Sequence, residues 1–191
     1  MLIQSATDLF YQHGFRAISV DDIVAHGGTT KTTLYRHFVS KDALAAVCLE
    51  RLADRDLAEL DAIVERHSSS PLEQVRAVVT SAAARMSRPD YRGWAHSNAE
   101  VEISDRTHPA RRICDLYKSR LRARLELIVR QAGYAAPASL ADGLLLLIEG
   151  ASASWHGLGP DGPAASLAYN CDRLMRGYDP VPPSSEEESQ A

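Results

Sequence analysis

The sequence has few cysteines and no long apolar run, and each lack excludes a class of protein. Its three cysteines, Cys48, Cys114 and Cys171, are an odd number without a CxxC spacing, which argues against a disulfide framework and a zinc knuckle. The longest aliphatic run, residues 144–148, is far shorter than the roughly 20 apolar residues of a membrane-spanning helix. No basic leader precedes an apolar stretch at residues 1–4. We therefore expect a cytoplasmic protein without a membrane segment.

The sequence also lacks catalytic motifs and an excess of positive charge. The chain has no GxSxG, no HExxH and no glycine-rich phosphate loop, so nothing predicts an enzyme or a cofactor. His96 and Glu100 stand at the i and i+4 spacing of a metal pair, but no further ligands complete a metal site. The 191 residues include 21 Lys and Arg against 25 Asp and Glu, a net charge of -4. Any binding to nucleic acid must therefore be local.

Apolar residues recur at helical spacing along almost the whole chain, and no stretch alternates as a half-buried strand would. This pattern predicts an all-α fold. Glycine, proline and capping residues mark the helix ends, as Gly14 does for the first helix and Ser19 for the second. We expect nine helices, at about residues 1–13, 20–26, 31–38, 41–67, 71–88, a short one within 90–107, 109–132, 138–156 and 163–177.

The last two predicted helices carry more apolar surface than one small core needs. The eighth is apolar on nearly every side, and Gly143, Gly150 and Gly157 recur in it every seven residues, leaving a lane where another backbone can approach. The period of the last helix is close to a heptad. We expect a homodimer through a four-helix bundle, with close packing inside one chain as the alternative for the glycine lane. The proline-rich and acidic residues 179–191 are predicted to form a disordered tail.

Two short helices separated by a glycine turn are typical of a DNA-binding helix-turn-helix, whose second helix enters the major groove. Three segments carry a more specific signal: LFYQHGF at residues 9–15, SVDDIV at 19–24, and GGTTKTTLYRHF at 27–38, followed by Ser40 and Lys41. Together they resemble the N-terminal domain of the TetR family of bacterial transcriptional regulators. The resemblance covers about the first 45 residues.

The resemblance implies a domain organisation and a set of DNA-binding residues. A three-helix helix-turn-helix domain would occupy residues 1–45, joined to a helical ligand-binding and dimerisation domain at residues 46–178. Hydroxyl, aromatic and basic side chains at the matching positions would contact phosphates and base edges. The DNA-binding residues implied in this way are Ser19, Thr30, Lys31, Thr32, Tyr35, Arg36, His37 and Lys41.

A ligand cavity in the helical domain is also implied by the resemblance. Aromatic and polar residues on inward faces of the middle helices would line it, namely Trp94, His96, Cys114, Tyr117 and Trp155. Ordinary core packing is the alternative for Tyr117 and Trp155. Two recognition helices must lie about 34 Å apart to read both half-sites, so a ligand that favours another spacing would release the DNA.

The leading hypothesis is a DNA-binding transcriptional regulator, a repressor that binds a pseudo-palindromic operator as a dimer and is released by a small-molecule effector. Over residues 1–55, however, six Lys and Arg balance six Asp and Glu, so the affinity for DNA from bulk charge is modest. This balance leaves an alternative, a cytoplasmic helical ligand-binding or scaffolding protein with little affinity for DNA. The basic residues between 106 and 130 form a rival nucleic-acid surface or a solvated helix face.

Overall fold

The computed structural model describes residues 1–178, and the regular structure of this part of the chain is helical. The predicted all-α fold is confirmed. Within residues 1–178 the α-helices are α1 (Leu2–His13), α2 (Val20–His26), α3 (Lys31–His37), α4 (Lys41–Arg66), α5 (Pro71–Met86), α6 (Ala95–Glu102), α7 (Pro109–Gln131), α8 (Pro137–Leu158) and α9 (Leu167–Arg176). No helix in this range is both long and apolar enough to cross a membrane.

The last helix begins later than the sequence predicts. Residues Pro163–Ser166 form a 3-10 turn, and α9 starts at Leu167. The N–H of Ala165 donates to the carbonyl of Gly162, three residues earlier, at 3.0 Å. Such i to i+3 hydrogen bonds tighten the chain and are frequent at the N-terminal ends of α-helices.

The described chain divides into two compact units. The first consists of Met1–Ala62 and Met86–Leu121, and it combines the helix-turn-helix with α6 and the first half of α7. The second consists of Ile63–Arg85 and the described residues from Arg122 onward, which include α5, α8 and α9.

The predicted domain boundary at residue 45 falls inside α4, which runs without a break from Lys41 to Arg66. The division into residues 1–45 and 46–178 stays a prediction. The predicted tail at residues 179–191 lies outside the described residues.

Two apolar clusters hold the first unit together. The cluster that joins α1, α2, α3 and α4 consists of the buried residues Ala6, Ile18, Ile23, Val24, Leu34, Leu44 and Cys48. The cluster that joins α4, α6 and α7 consists of the buried residues Ala45, Leu49, Ala99, Ile103, Ala110 and Cys114. Because neighbouring residues of α4 belong to different clusters, the first turns of α4 are shared between the helix-turn-helix and α6.

Candidate nucleic-acid interface

The N-terminus of α2 is built around Ser19. Its hydroxyl oxygen accepts a hydrogen bond from the backbone N–H of Asp22 at 3.2 Å, and its own backbone N–H donates to the Asp22 carboxylate at 2.8 Å. The hydroxyl also donates to that carboxylate at 2.6 Å. These bonds form a capping box, and they lower the pKa of Asp22 below its ordinary value. The proton of the exposed Ser19 hydroxyl is therefore already donated to Asp22 and is not free to bind a phosphate.

The recognition helix α3 has one face in the core and the other in solvent. Thr30 caps it, since its hydroxyl oxygen accepts from the N–H of Thr33 at 3.2 Å. Leu34 is fully buried in the cluster shared by α1 to α4 and anchors the helix. The remaining α3 residues of the predicted DNA-binding set are all exposed, namely Lys31, Thr32, Tyr35, Arg36 and His37. A helix held from behind with a polar outer face meets the requirement for entry into a major groove.

Lys31 forms an ion pair across the helix-turn-helix. Its ammonium lies 2.8 Å from the carboxylate of Asp21, which belongs to the first turn of α2. This carboxylate raises the pKa of Lys31 above its ordinary value. Asp21 is not among the predicted site residues, because the sequence pattern alone does not indicate which side chains of α2 and α3 meet.

Lys41 points toward the loop between α1 and α2. Its ammonium donates to the carbonyls of Phe15 and Ile18, both at 2.9 Å, and lies 4.3 Å from the centroid of the Phe15 ring. Two of its three N–H bonds are therefore used inside the protein. The predicted phosphate contact of Lys41 stays a prediction, but the structure adds a role in holding this loop.

Tyr11 links α1 to the turn that precedes α6. Its hydroxyl donates to the carbonyl of Gly93 at 3.1 Å and accepts from the backbone N–H of Arg92 at 2.8 Å. Both partners belong to the main chain, so the contact depends on the path of the backbone at residues 92–93.

Glu102, the last residue of α6, makes a second link to the end of α1. Its carboxylate accepts from the backbone N–H of Arg16 at 3.0 Å. Gly14 has a φ of +87°, and a Cβ built on it would lie 2.7 Å from Oε1 of Glu102. Glycine is thus needed there for its backbone conformation and for the close approach. Sequence reasoning missed Tyr11 and Glu102, because their partners are more than 80 positions away.

Four of the five predicted effector residues lie in the first unit, and three of them are packed closely. His96 is 1% exposed, its Nε2 lies 3.0 Å from the carbonyl oxygen of Leu49, and its ring stacks on Tyr117 with the centroids 3.9 Å apart. Cys114 is fully buried in the cluster of α4, α6 and α7. Trp94 precedes α6 directly. The structure thus brings His96 and Tyr117 together as part of a packed interior.

A small cavity of about 40 Å³ lies among α1, α4 and α6. Its apolar walls include Phe10, Leu52 and Ala99, and none of the five predicted effector residues borders it. It has room for about three water molecules, whereas small-molecule sites span several hundred Å³. The fifth predicted residue, Trp155, belongs to α8 in the second unit. The predicted effector site stays a prediction.

The three thiols are buried and poorly ionisable. Burial raises the pKa of Cys48 and of Cys171 to about 11 and that of Cys114 to about 12. Because the thiolate is the reactive form, thiols with such values are weak nucleophiles at neutral pH.

The outer face of α8 is apolar and open. Leu146 is 73% exposed, and Gly150 and Gly157 follow it at helical spacing, with no heavy atom within 4 Å of a Cβ built on either glycine. Gly143 differs, because a Cβ there would lie 2.8 Å from the side chain of Leu174 on α9. Packing inside one chain therefore accounts for the first glycine of the lane and leaves the other two uncovered.

Comparison with known proteins starts from this helix-turn-helix. The family model described as bacterial regulatory proteins of the TetR family matches residues 2–48. The HTH-type transcriptional repressor ComR of Escherichia coli K12 is 38% identical over 60 residues, which make up 31% of this chain and 29% of ComR. The HTH-type transcriptional repressor Rv3405c of Mycobacterium tuberculosis H37Rv is 37% identical over 54 residues, 28% of this chain and 29% of that protein. These matches thus span 29% of the length of either curated relative.

The remaining helices are matched by solved structures. SCO4454, a TetR-family transcriptional regulator from Streptomyces coelicolor, aligns with a TM-score of 0.87 at 28% identity, over 92% of this chain and 93% of that one. The chain shares this fold with a TetR-family regulator, and its residues 2–48 match the TetR family model. The reduced form of NemR from Escherichia coli aligns with a TM-score of 0.83 over 94% of this chain and 96% of that one. Its 18% identity shows a shared fold only.

The family-model match over residues 2–48 and the alignment with SCO4454 confirm the resemblance drawn from the sequence. ComR and Rv3405c are named transcriptional repressors, and SCO4454 is named a transcriptional regulator. The individual DNA-binding and effector-binding residues of the chain stay predictions.

Proposed function

We propose that this TetR-family chain is a cytoplasmic transcriptional repressor that binds a pseudo-palindromic operator as a homodimer and leaves it when a small-molecule effector binds. The observation that carries the proposal is the exposed polar face of α3 behind the buried anchor Leu34. The repressor names of ComR and Rv3405c support the direction of regulation.

The chemistry of the exposed α3 side chains supports binding to duplex DNA. The planar guanidinium of Arg36 suits a bidentate contact with guanine, and the methyl and hydroxyl groups of Thr32 suit a thymine or another base edge. Tyr35 and His37 supply hydrogen-bond donors for phosphates. Ser19 and Thr30 cap α2 and α3, so a phosphate contact by either hydroxyl would replace a hydrogen bond that it now makes inside the domain.

The open face of α8 supports the proposed dimerisation through α8 and α9. An exposed leucine next to two uncovered glycines allows a second backbone to approach closely, as helix packing in a bundle requires. A two-fold dimer would present two copies of α3 to the two halves of a pseudo-palindrome.

Release by an effector requires a ligand that prefers another arrangement of the DNA-binding helices. We assign the effector to the helical body, where Trp94, His96, Cys114 and Tyr117 are the candidate contacts in the first unit and Trp155 is the candidate in the second. The contact of Glu102 with Arg16 supports this assignment, because α6 carries His96 and Glu102 on one short helix, so a shift of α6 bears on the end of α1.

Binding to DNA is tested with the full chain by fluorescence anisotropy. A duplex enriched from a random pool and a scrambled duplex of equal composition are titrated over a series of salt concentrations. We expect Arg36→Ala to weaken binding to the enriched duplex by roughly fivefold to 150-fold, the worth of one bidentate base contact. Tyr35→Phe should weaken binding to both duplexes alike.

Arg112→Ala is the matched control, since Arg112 is an exposed arginine of α7. Lys41 is avoided, because its loss also frees the carbonyls of Phe15 and Ile18. Binding that is equally weak for both duplexes and insensitive to Arg36→Ala and Tyr35→Phe would contradict the proposal and favour a helical ligand-binding or scaffolding protein.

Dimerisation is tested by sedimentation velocity of Gly150→Leu and Leu146→Glu. Both changes fall on the open face of α8, so we expect dissociation into monomers. Leu116→Glu is the control, as Leu116 is an exposed leucine of α7. Dimers that persist in both α8 variants would contradict this interface.

A further inference from the structure

The ion pair between Asp21 and Lys31 joins the two helices of the helix-turn-helix at their exposed N-terminal ends. The ammonium and the carboxylate lie 2.8 Å apart, and their side chains are 53% and 71% exposed. An exposed pair of this kind adds only about 0–1 kcal/mol to stability. The ion pair therefore matters mainly because it changes the charge that the helix-turn-helix presents to DNA.

Two lysine and arginine side chains face outward from α3. Lys31 and Arg36 are the lysine and the arginine of α3, and Lys41 directs its ammonium to the carbonyls of Phe15 and Ile18. Asp21 neutralises one of the two α3 cations. A carboxylate at this place also repels the phosphates of any duplex that approaches, whatever its sequence.

The pair leaves Lys31 able to read a base. A lysine ammonium has three N–H donors, and one donated to Asp21 leaves two. Guanine offers two acceptors, O6 and N7, side by side in the major groove. A lysine held by Asp21 is thus restrained in direction while it keeps the donors that a guanine edge requires, whereas an unrestrained lysine reaches neighbouring phosphates equally well.

We propose that Asp21 is a specificity-determining residue, which directs Lys31 toward a base edge and keeps it from serving as a general phosphate contact. This inference rests on the proposed binding of DNA through α3. Asp22 does not share the role, because its carboxylate is engaged by Ser19 in the capping box.

The test compares the wild type with Asp21→Asn, Lys31→Met and the double variant, using the enriched and the scrambled duplex at several salt concentrations. Asp54→Asn is the control, since it makes the same change of charge at an exposed position of α4. The capping box remains in Asp21→Asn and only an exposed ion pair is lost, so its melting temperature should stay close to that of the wild type.

We expect Asp21→Asn to bind the scrambled duplex more tightly. The ratio of the affinity for the enriched duplex to the affinity for the scrambled duplex should fall by about tenfold, within the range for one base contact. The slope of the logarithm of its binding constant against the logarithm of the salt concentration should become steeper by about 0.9, because Lys31 gains a phosphate contact. In the Lys31→Met background, Asp21→Asn should leave the ratio unchanged.

Two results would overturn the inference while the proposed function stands: a ratio for Asp21→Asn equal to that of Asp54→Asn, or the same fall of the ratio with and without Lys31. A wild type that enriches no sequence and shows no preference would refute the proposed function itself, and this inference with it.

Discussion

Replacing Lys41 with methionine should loosen the helix-turn-helix domain itself, apart from any effect on DNA. The ammonium of Lys41 donates to the carbonyls of Phe15 and Ile18 at 2.9 Å and lies 4.3 Å from the centre of the Phe15 ring. Methionine retains a long apolar side chain but removes the charge and all three donors. The loop between α1 and α2 then loses its tie to the first turn of α4.

The size of the effect follows from these contacts. A hydrogen bond to a charged group contributes about 1.5–3 kcal/mol, and a cation–π contact at an exposed site about 0.5–1 kcal/mol. The three contacts share one ammonium, so their contributions are not additive. Because the site is half-buried, water can also reach the carbonyls that lose the ammonium. We expect Lys41→Met to lower the free energy of unfolding by about 2–4 kcal/mol.

Urea unfolding followed by circular dichroism measures this change. The protomer concentration is held constant, because dimerisation shifts the apparent stability. Lys31→Met is the control, since its exposed ion pair is worth about 0–1 kcal/mol. Equal unfolding midpoints for Lys41→Met and Lys31→Met would refute the reasoning and mean that the carbonyl contacts do not hold the loop.

Three further predictions concern the links to α6 and the buried thiols. Gly14→Ala should lower the free energy of unfolding by about 1–3 kcal/mol. The loss should be smaller in a Glu102→Ala background, where the close contact is gone. Equal losses in urea unfolding in the wild-type and the Glu102→Ala backgrounds would contradict that contact. Tyr11→Phe should speed hydrogen exchange at the Arg92 amide, which loses its acceptor, and unchanged protection would refute the link. Burial raises the pKa of Cys114 from 9.0 to about 12. The folded state therefore holds the thiol proton more tightly than the unfolded chain does. The free energy of unfolding should fall as the pH rises above about 9. A Cys114→Ala variant with the same alkaline loss would contradict this cause.

The positions of the helices were predictable because their signals are local. Gly14 ends α1, Ser19 and Thr30 cap α2 and α3, and the period of the apolar residues marks the buried faces. The 3-10 turn at Pro163–Ser166 was not predicted, since it depends on which backbone acceptor each N–H finds.

The roles of individual side chains depended on partners that are distant in the sequence. By itself, the sequence determined the all-α fold, the helix-turn-helix and the exposed polar face of α3, because residues a few positions apart decide helices and their faces. Only the tertiary structure decided that Lys41 holds a loop, that His96 is buried against Tyr117, and that Glu102 meets Arg16. A long charged or aromatic side chain can reach several neighbours, and packing between helices selects among them.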